Sequence, residues 1–164
     1  MIRALAVLPA AIALAACATA PSAPAYPEAA AFDVSEDAMG DVDAALARAT
    51  ASGRRVLLVM GANWCHDSRA LAGWLKSARI AALVEREYEL VFVNIGMPQT
   101  GDGHNLGIAR RFGLDDLPGT PNLLVLTAGE ARVNPDTATA WRNASSRSGE
   151  TIFAELERLA ATPV

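Results

Sequence analysis

Two periodicities alternate along this chain. From Asp41 to Ser52, Val42, Ala45, Leu46 and Ala49 share one helical face, and Gly53 suits the position after a helix end. The apolar run Val56–Met60 reads as a strand, followed by a helical region from Cys65 to about Tyr88 that carries Leu71, Trp74, Leu75 and Ala78 and breaks near Ala78-Arg79. Leu90 to Ile95 is almost wholly apolar, as expected of a strand covered on both faces. A Gly-rich loop, Gly96 to Gly103, then leads to a short helix over Asn105 to Phe112. After Pro121 comes the strand Leu123–Leu126, whose end at Thr127-Ala128-Gly129-Glu130 predicts a hairpin into Ala131-Arg132-Val133. The last helix puts Ile152, Phe153, Leu156 and Leu159 on its buried face. There are no internal repeats.

The N-terminus follows neither period. Met1-Ile2-Arg3 gives a short positive end, and Ala4 to Ala16 is apolar apart from Pro9. Spanning a bilayer takes about 20 apolar residues, so this stretch has the proportions of a secretory signal instead. Leu14-Ala15-Ala16-Cys17 resembles the lipobox of bacterial lipoproteins, in which the cysteine is acylated and becomes the new N-terminus. Ordinary cleavage at the small residues around Cys17 is the competing reading. By the same resemblance, Ala18 in place of an acidic residue favours the outer membrane. From Ala18 to Ala31 the chain is rich in Ala and Pro, which reads as a partly extended tether with a reach of roughly 40 Å. The expected organisation is a signal peptide over 1–16, a lipidated Cys17 with its tether over 17–35, and one folded domain over 36–164.

Composition narrows the function classes. The chain has 164 residues and a formal net charge of −4; without the 16 residues before Cys17 it would have 148 residues and, Arg3 being lost, −5. That is the size of one domain. An acidic balance with no basic stretch interleaved with aromatics argues against nucleic acid as a partner. Cysteine count matters more. There are two, Cys17 and Cys65. If Cys17 carries lipid, Cys65 is the only thiol of the mature protein and no internal disulfide can form. A lone thiol in an oxidising compartment is either buried or chemically employed.

Its setting points to employment. Trp64-Cys65-His66-Asp67-Ser68 lies where a strand passes into a helix. There the helix dipole and unpaired backbone N–H groups favour thiolate, the nucleophilic form. Far along the chain, Gly119-Thr120-Pro121 precedes the next apolar strand. Trp-Cys-x-x-Ser followed later by Thr-Pro before a strand resembles the thioredoxin superfamily, over about residues 40–160. The resemblance implies an α/β fold, a thioredoxin-like three-layer sandwich with a central mixed sheet flanked by helices. It also implies Cys65 as nucleophile, a cis peptide at Thr120–Pro121 beside the sulfur, and a client groove shaped by Trp64, Thr120 and Pro121.

Two departures from that family agree with each other. Ser68 stands where a second cysteine is usual, and Val59 stands where a buried carboxylate commonly helps deprotonate it. Without the second thiol, a buried acid would carry its desolvation cost for no use. A site built for one sulfur can form mixed disulfides but cannot resolve them internally. Such chemistry suits isomerisation, removal of small-thiol adducts or client capture. The expected partners are protein thiols and disulfides or small thiols in the envelope, and no cofactor is implied. The alternative is a non-catalytic binding lipoprotein of the same fold. Ser68 is read either as a donor that stabilises the thiolate or as a helix-terminus hydroxyl. His66 is either a thiolate-favouring imidazole at the client surface or plain surface. Asp67 would oppose the thiolate if close, though it also suits a helix start. A metal role for Cys65, His66 and His104 is disfavoured, because adjacent residues rarely chelate together and His104 sits in the Gly-rich loop. The Thr-x-x-Cys of peroxiredoxins is missing.

Overall fold

The structure is a computed structural model and describes residues 26–163. The expected signal peptide, Cys17 and the first part of the tether lie outside the described residues. Helix α1 (Ala38–Ser52) starts at Asp37, whose carboxylate accepts the Gly40 N–H at 2.9 Å, and ends at Gly53 with φ 73°. Strand β1 (Arg55–Gly61) runs into helix α2 (His66–Leu75), and helix α3 (Ala78–Glu87) leads to strand β2 (Tyr88–Asn94). The break between α2 and α3 falls at Lys76-Ser77, slightly before the expected point. There the Ser77 hydroxyl donates to the Trp74 carbonyl at 2.6 Å.

The expected loop at 96–103 is a small hairpin. Strands β3 (Gly96–Met97) and β4 (Asp102–Gly103) pair antiparallel around a 3-10 turn, Pro98–Thr100. Helix α4 (Leu106–Arg111) and strand β5 (Asn122–Leu126) follow, and helix α5 (Gly149–Ala161) ends the fold. The hairpin expected after β5 is reduced to one bridge, Leu126 to Arg132, closed at Glu130 with φ 67°.

The central sheet is mixed, in the order β2-β1-β5, with β2 parallel and β5 antiparallel to β1. Strand β1 is therefore covered on both faces. Leu57 and Val59 join Leu71, Leu75, Leu83, Ile152 and Leu156 on one side, while Val56, Leu58 and Met60 join Val42, Leu46, Ile108 and Leu124 on the other. These layers form the expected three-layer α/β sandwich. Phe153 departs from its expected burial: it is half-exposed, with the Arg79 guanidinium stacked 3.9 Å from its ring centre.

The described residues before α1 pack on the domain. Phe32 is 1% exposed and meets Phe92 edge-on at 5.3 Å. The Ala29 N–H donates to the Arg69 carbonyl at 3.0 Å, and the backbone of Pro27 passes so close to Gly73 that a Cβ there would lie 2.4 Å from the Pro27 carbonyl oxygen. One aromatic in an Ala/Pro-rich run is enough to anchor the strand of chain around it. Among the described residues, no helix is long and apolar enough to cross a membrane.

Candidate active site

Register sets the location. Because Met60 on β1 pairs with Asn122 on β5, the residues entering β5 lie just beyond the end of β1, where the chain turns into α2. That turn is closed by the Cys65 N–H donating to the Ala62 carbonyl at 3.1 Å. Cys65 is the N-cap of α2, with extended backbone (φ −85°, ψ 122°), so its side chain lies at the helix mouth. Across from it the Thr120–Pro121 peptide is cis, and Sγ lies 3.5 Å from the Thr120 carbonyl oxygen. In the thiol form the S–H donates to that oxygen. Cys65 is 8% exposed and Thr120 5%, so the sulfur is reached through a narrow approach.

Trp64 forms one wall of this approach. It is 51% exposed, yet its indole N–H is fixed on the Gly96 carbonyl at 3.0 Å. Only the edge of the ring is tied down; much of its apolar surface faces solvent. Met97, bonded to that same carbonyl, is also exposed. On the other side, Gly119 lets the cis-proline segment pack against Arg142, since a Cβ there would lie 2.6 Å from the Arg142 Cδ.

Ser68 makes its hydrogen bond with the backbone at the end of β1. It is fully buried, its Oγ accepts the Ala62 N–H at 3.3 Å, and among the described residues no hydrogen bond joins it to Sγ. Its place three residues into the turn aims the hydroxyl back at the end of β1, near Gly61. His66 points outward, its Nε2 lying 3.2 Å from Asp67 Oδ2. Asp67 is buried instead of free, and its Oδ1 accepts the Ser145 N–H at 2.8 Å, binding the mouth of α2 to the turn before α5. Cys65, Trp64, Thr120 and Pro121 thus gather at one place, Ser68 and His66 border it, and Cys17 lies outside the described residues.

Metal-binding geometry does not form around these groups. Among the described residues, no three His, Cys, Asp or Glu side chains come together to hold an ion. His104 instead lines a separate hollow of about 350 Å³ with Val34, Ser35, Asn94 and Asn105, which does not include Cys65. A larger, open hollow of about 530 Å³ runs along α5 from Arg147 to Arg158 and also excludes the thiol. The thiol thus lies apart from both of these wider concavities.

Two residues here gave no signal in the sequence. Arg69 places Nη1 2.9 Å from the Asn63 carbonyl and 3.2 Å from that of Trp64. The Asn63 side chain reaches back to Phe32. A single arginine on a helix and a single asparagine in a turn carry no spacing pattern by which to find them.

Known proteins share this fold. A family described as thioredoxin-like matches residues 37–128. The crystal structure of a disulphide isomerase from Xylella fastidiosa Temecula1 superposes with a TM-score of 0.69 at 28% identity, covering 80% of this chain and 98% of that one. Among curated proteins, none matches the sequence.

Proposed function

The chain belongs to the thioredoxin-like family, and on that premise we propose that it performs thiol–disulfide exchange through one sulfur, Cys65, as a lipid-anchored protein of the bacterial cell envelope. The observation that carries this reading is Cys65 at the mouth of α2, 3.5 Å from the Thr120 carbonyl beside a cis proline, with a serine three residues on. Likeness to a protein named a disulphide isomerase supports the same chemistry.

In the step we propose, the Cys65 thiol gives its proton to solvent and the thiolate attacks one sulfur of a client disulfide. A Cys65–client disulfide forms, the client S–S bond breaks, and the second client sulfur leaves as thiolate and takes up a proton. Ser68 has no sulfur with which to release the client. Release follows when another thiolate of the same client attacks the client sulfur of the mixed disulfide. Cys65 returns as thiolate, and the client has exchanged one disulfide for another. No net electrons are gained or lost, so the cycle suits isomerisation and needs no outside reductant. Trp64, Thr120 and Pro121 shape the client groove, and His66 borders it. Cys17 carries the lipid, the domain faces the periplasm, and its acidic balance disfavours nucleic acid as a partner.

Trapping tests the chemistry. Nonreducing gels of envelope extracts should show thiol-sensitive adducts with wild type and none with Cys65→Ala; identical patterns would overturn the catalytic reading and leave a binding groove. The intact mass of the mature chain tests the anchor. A diacylated Cys17 at the N-terminus is expected, with each buried methylene contributing about 0.8 kcal/mol to membrane attachment. An unmodified start at any other residue would move the protein to the soluble periplasm.

A further inference from the structure

Trp64 is held by a closed circuit of hydrogen bonds that passes through the N-terminal segment. Its indole N–H donates to the Gly96 carbonyl at 3.0 Å, and the Gly96 N–H donates to Asn94 Oδ1 at 2.8 Å. Asn94 Nδ2 donates to the Phe32 carbonyl at 3.0 Å, and Asn63 Nδ2 donates to that same oxygen at 3.1 Å. Asn63 is covalently joined to Trp64, which closes the ring. Asn63 Oδ1 also accepts the N–H groups of Ala31 and Phe32, both at 3.1 Å, so the amide clamps the segment from both sides.

Arg69 braces the circuit from one helical turn after Cys65. While Nη1 satisfies the Asn63 and Trp64 carbonyls, Nε and Nη2 face the Glu28 carboxylate at 3.3 and 3.5 Å. Its own carbonyl accepts from Ala29, and its N–H closes the first turn of α2 on the Cys65 carbonyl at 3.1 Å. The bonds made by the Asn63 and Asn94 side chains and by Arg69 to the Asn63 carbonyl are partly buried, where an unmade hydrogen bond costs more than a surface one.

We propose that residues 28–32 are a working part of the thiol site and that Arg69 is a positioning residue: together with Asn63 and Asn94 they hold the Trp64 wall in place for polypeptide disulfides. The inference rests on the disulfide-exchange reading. A polypeptide must be oriented against the wall before its sulfur meets Sγ, so a loosened Trp64 lowers the fraction of productive encounters. A small aryl disulfide reaches the sulfur without using the wall.

The test compares the full mature chain with Arg69→Gln and Asn94→Ala, measuring the rate at which Cys65 forms mixed disulfides with insulin and with a small aryl disulfide. Both variants should react about tenfold more slowly with insulin and within about twofold of wild type with the aryl disulfide, the loss expected when hydrogen bonds that orient a substrate are removed. Hydrogen exchange at the Trp64 indole N–H, followed by NMR, should be faster in both. Equal slowing on the two disulfides, or no slowing on insulin, overturns the inference. If Arg69→Gln does not fold, Asn94→Ala decides by the same two rates, since it opens the circuit away from α2. A wild type that reacts with neither disulfide instead removes the exchange reading itself.

Discussion

Ser68→Cys converts the single-sulfur site into a dithiol, and the structure sets the cost. The Ser68 oxygen accepts the Ala62 N–H, and a sulfur is a weaker acceptor, so the reduced variant loses up to about 1 kcal/mol there. Ser68 is also fully buried against Gly61, where a Cβ would lie 2.7 Å from its Oγ. A larger atom in that space adds about 1–3 kcal/mol of overpacking. Oxidation to a 65–68 disulfide closes a very short loop, which in the chain-entropy description returns only about 2 kcal/mol. The oxidised variant should therefore melt near wild type and the reduced one several degrees lower. Reductase turnover should appear but stay partial, because the neighbouring Val59 is a fully buried hydrocarbon and offers no proton acceptor. Thiol titration, melting with and without reductant, and insulin reduction read these three outcomes. Two free thiols persisting under oxidised glutathione would show that the two positions do not meet, and the placement of Cys65 at the helix mouth would be refuted.

Two further predictions concern the frame of the site. Phe32→Ala should destabilise the domain by about 3–5 kcal/mol in urea unfolding, because the ring is buried in the core and not part of a tether; a loss under 1 kcal/mol would contradict that. Tyr88 is held by burial well above the ordinary range of a phenol, and its hydroxyl donates to the Leu156 carbonyl at 2.5 Å. A raised folded value means the native state binds the proton more tightly. Its contribution is thus complete below the unfolded value of about 10 and is lost as pH rises beyond it. Stability of wild type should fall between pH 10 and 12 more steeply than that of Tyr88→Phe, and parallel curves would refute the assignment.

How much of this was legible follows from where each signal resides. The long helices are periodic over many residues, so Val42 and Leu156 declared their faces in the sequence and occupy them in the core, whereas the runs around Leu57 and Leu124 declared strands without saying which face each residue takes. Cys65 and Thr120–Pro121 were legible as a motif pair, and the β1–β5 register brings them together. The hairpin at 96–103 was not, because strands of two residues are too short to show a period. Phe32 marks the end of the Ala/Pro-rich stretch, but nothing in the composition around it shows that its ring enters the core. Ser68 was recognised as a departure from the family, but its partner was not, since a hydroxyl bonds to whichever backbone group its rotamer meets.

The resting hydrogen bond of Cys65 bears on which clients a single sulfur can keep. In the thiol, S–H donates to the Thr120 carbonyl, a group that is almost entirely covered. Once Sγ is bound to a client sulfur that hydrogen is gone, and the carbonyl must find another donor or stand unpaired. A buried acceptor left without a partner costs about 1–3 kcal/mol. The Thr120 hydroxyl, itself buried and without a hydrogen bond among the described residues, adds a second unsatisfied group in the same place. A client that brings a backbone N–H next to its cysteine fills the carbonyl and keeps the mixed disulfide. One that brings only a small thiol leaves both groups unsatisfied, and the thiol form is restored more readily. On the proposed exchange reading, with Ser68 in place of a resolving cysteine, the lifetime of each adduct would then depend on what the client places against Thr120, and a one-sulfur site would discriminate among disulfides that are chemically alike.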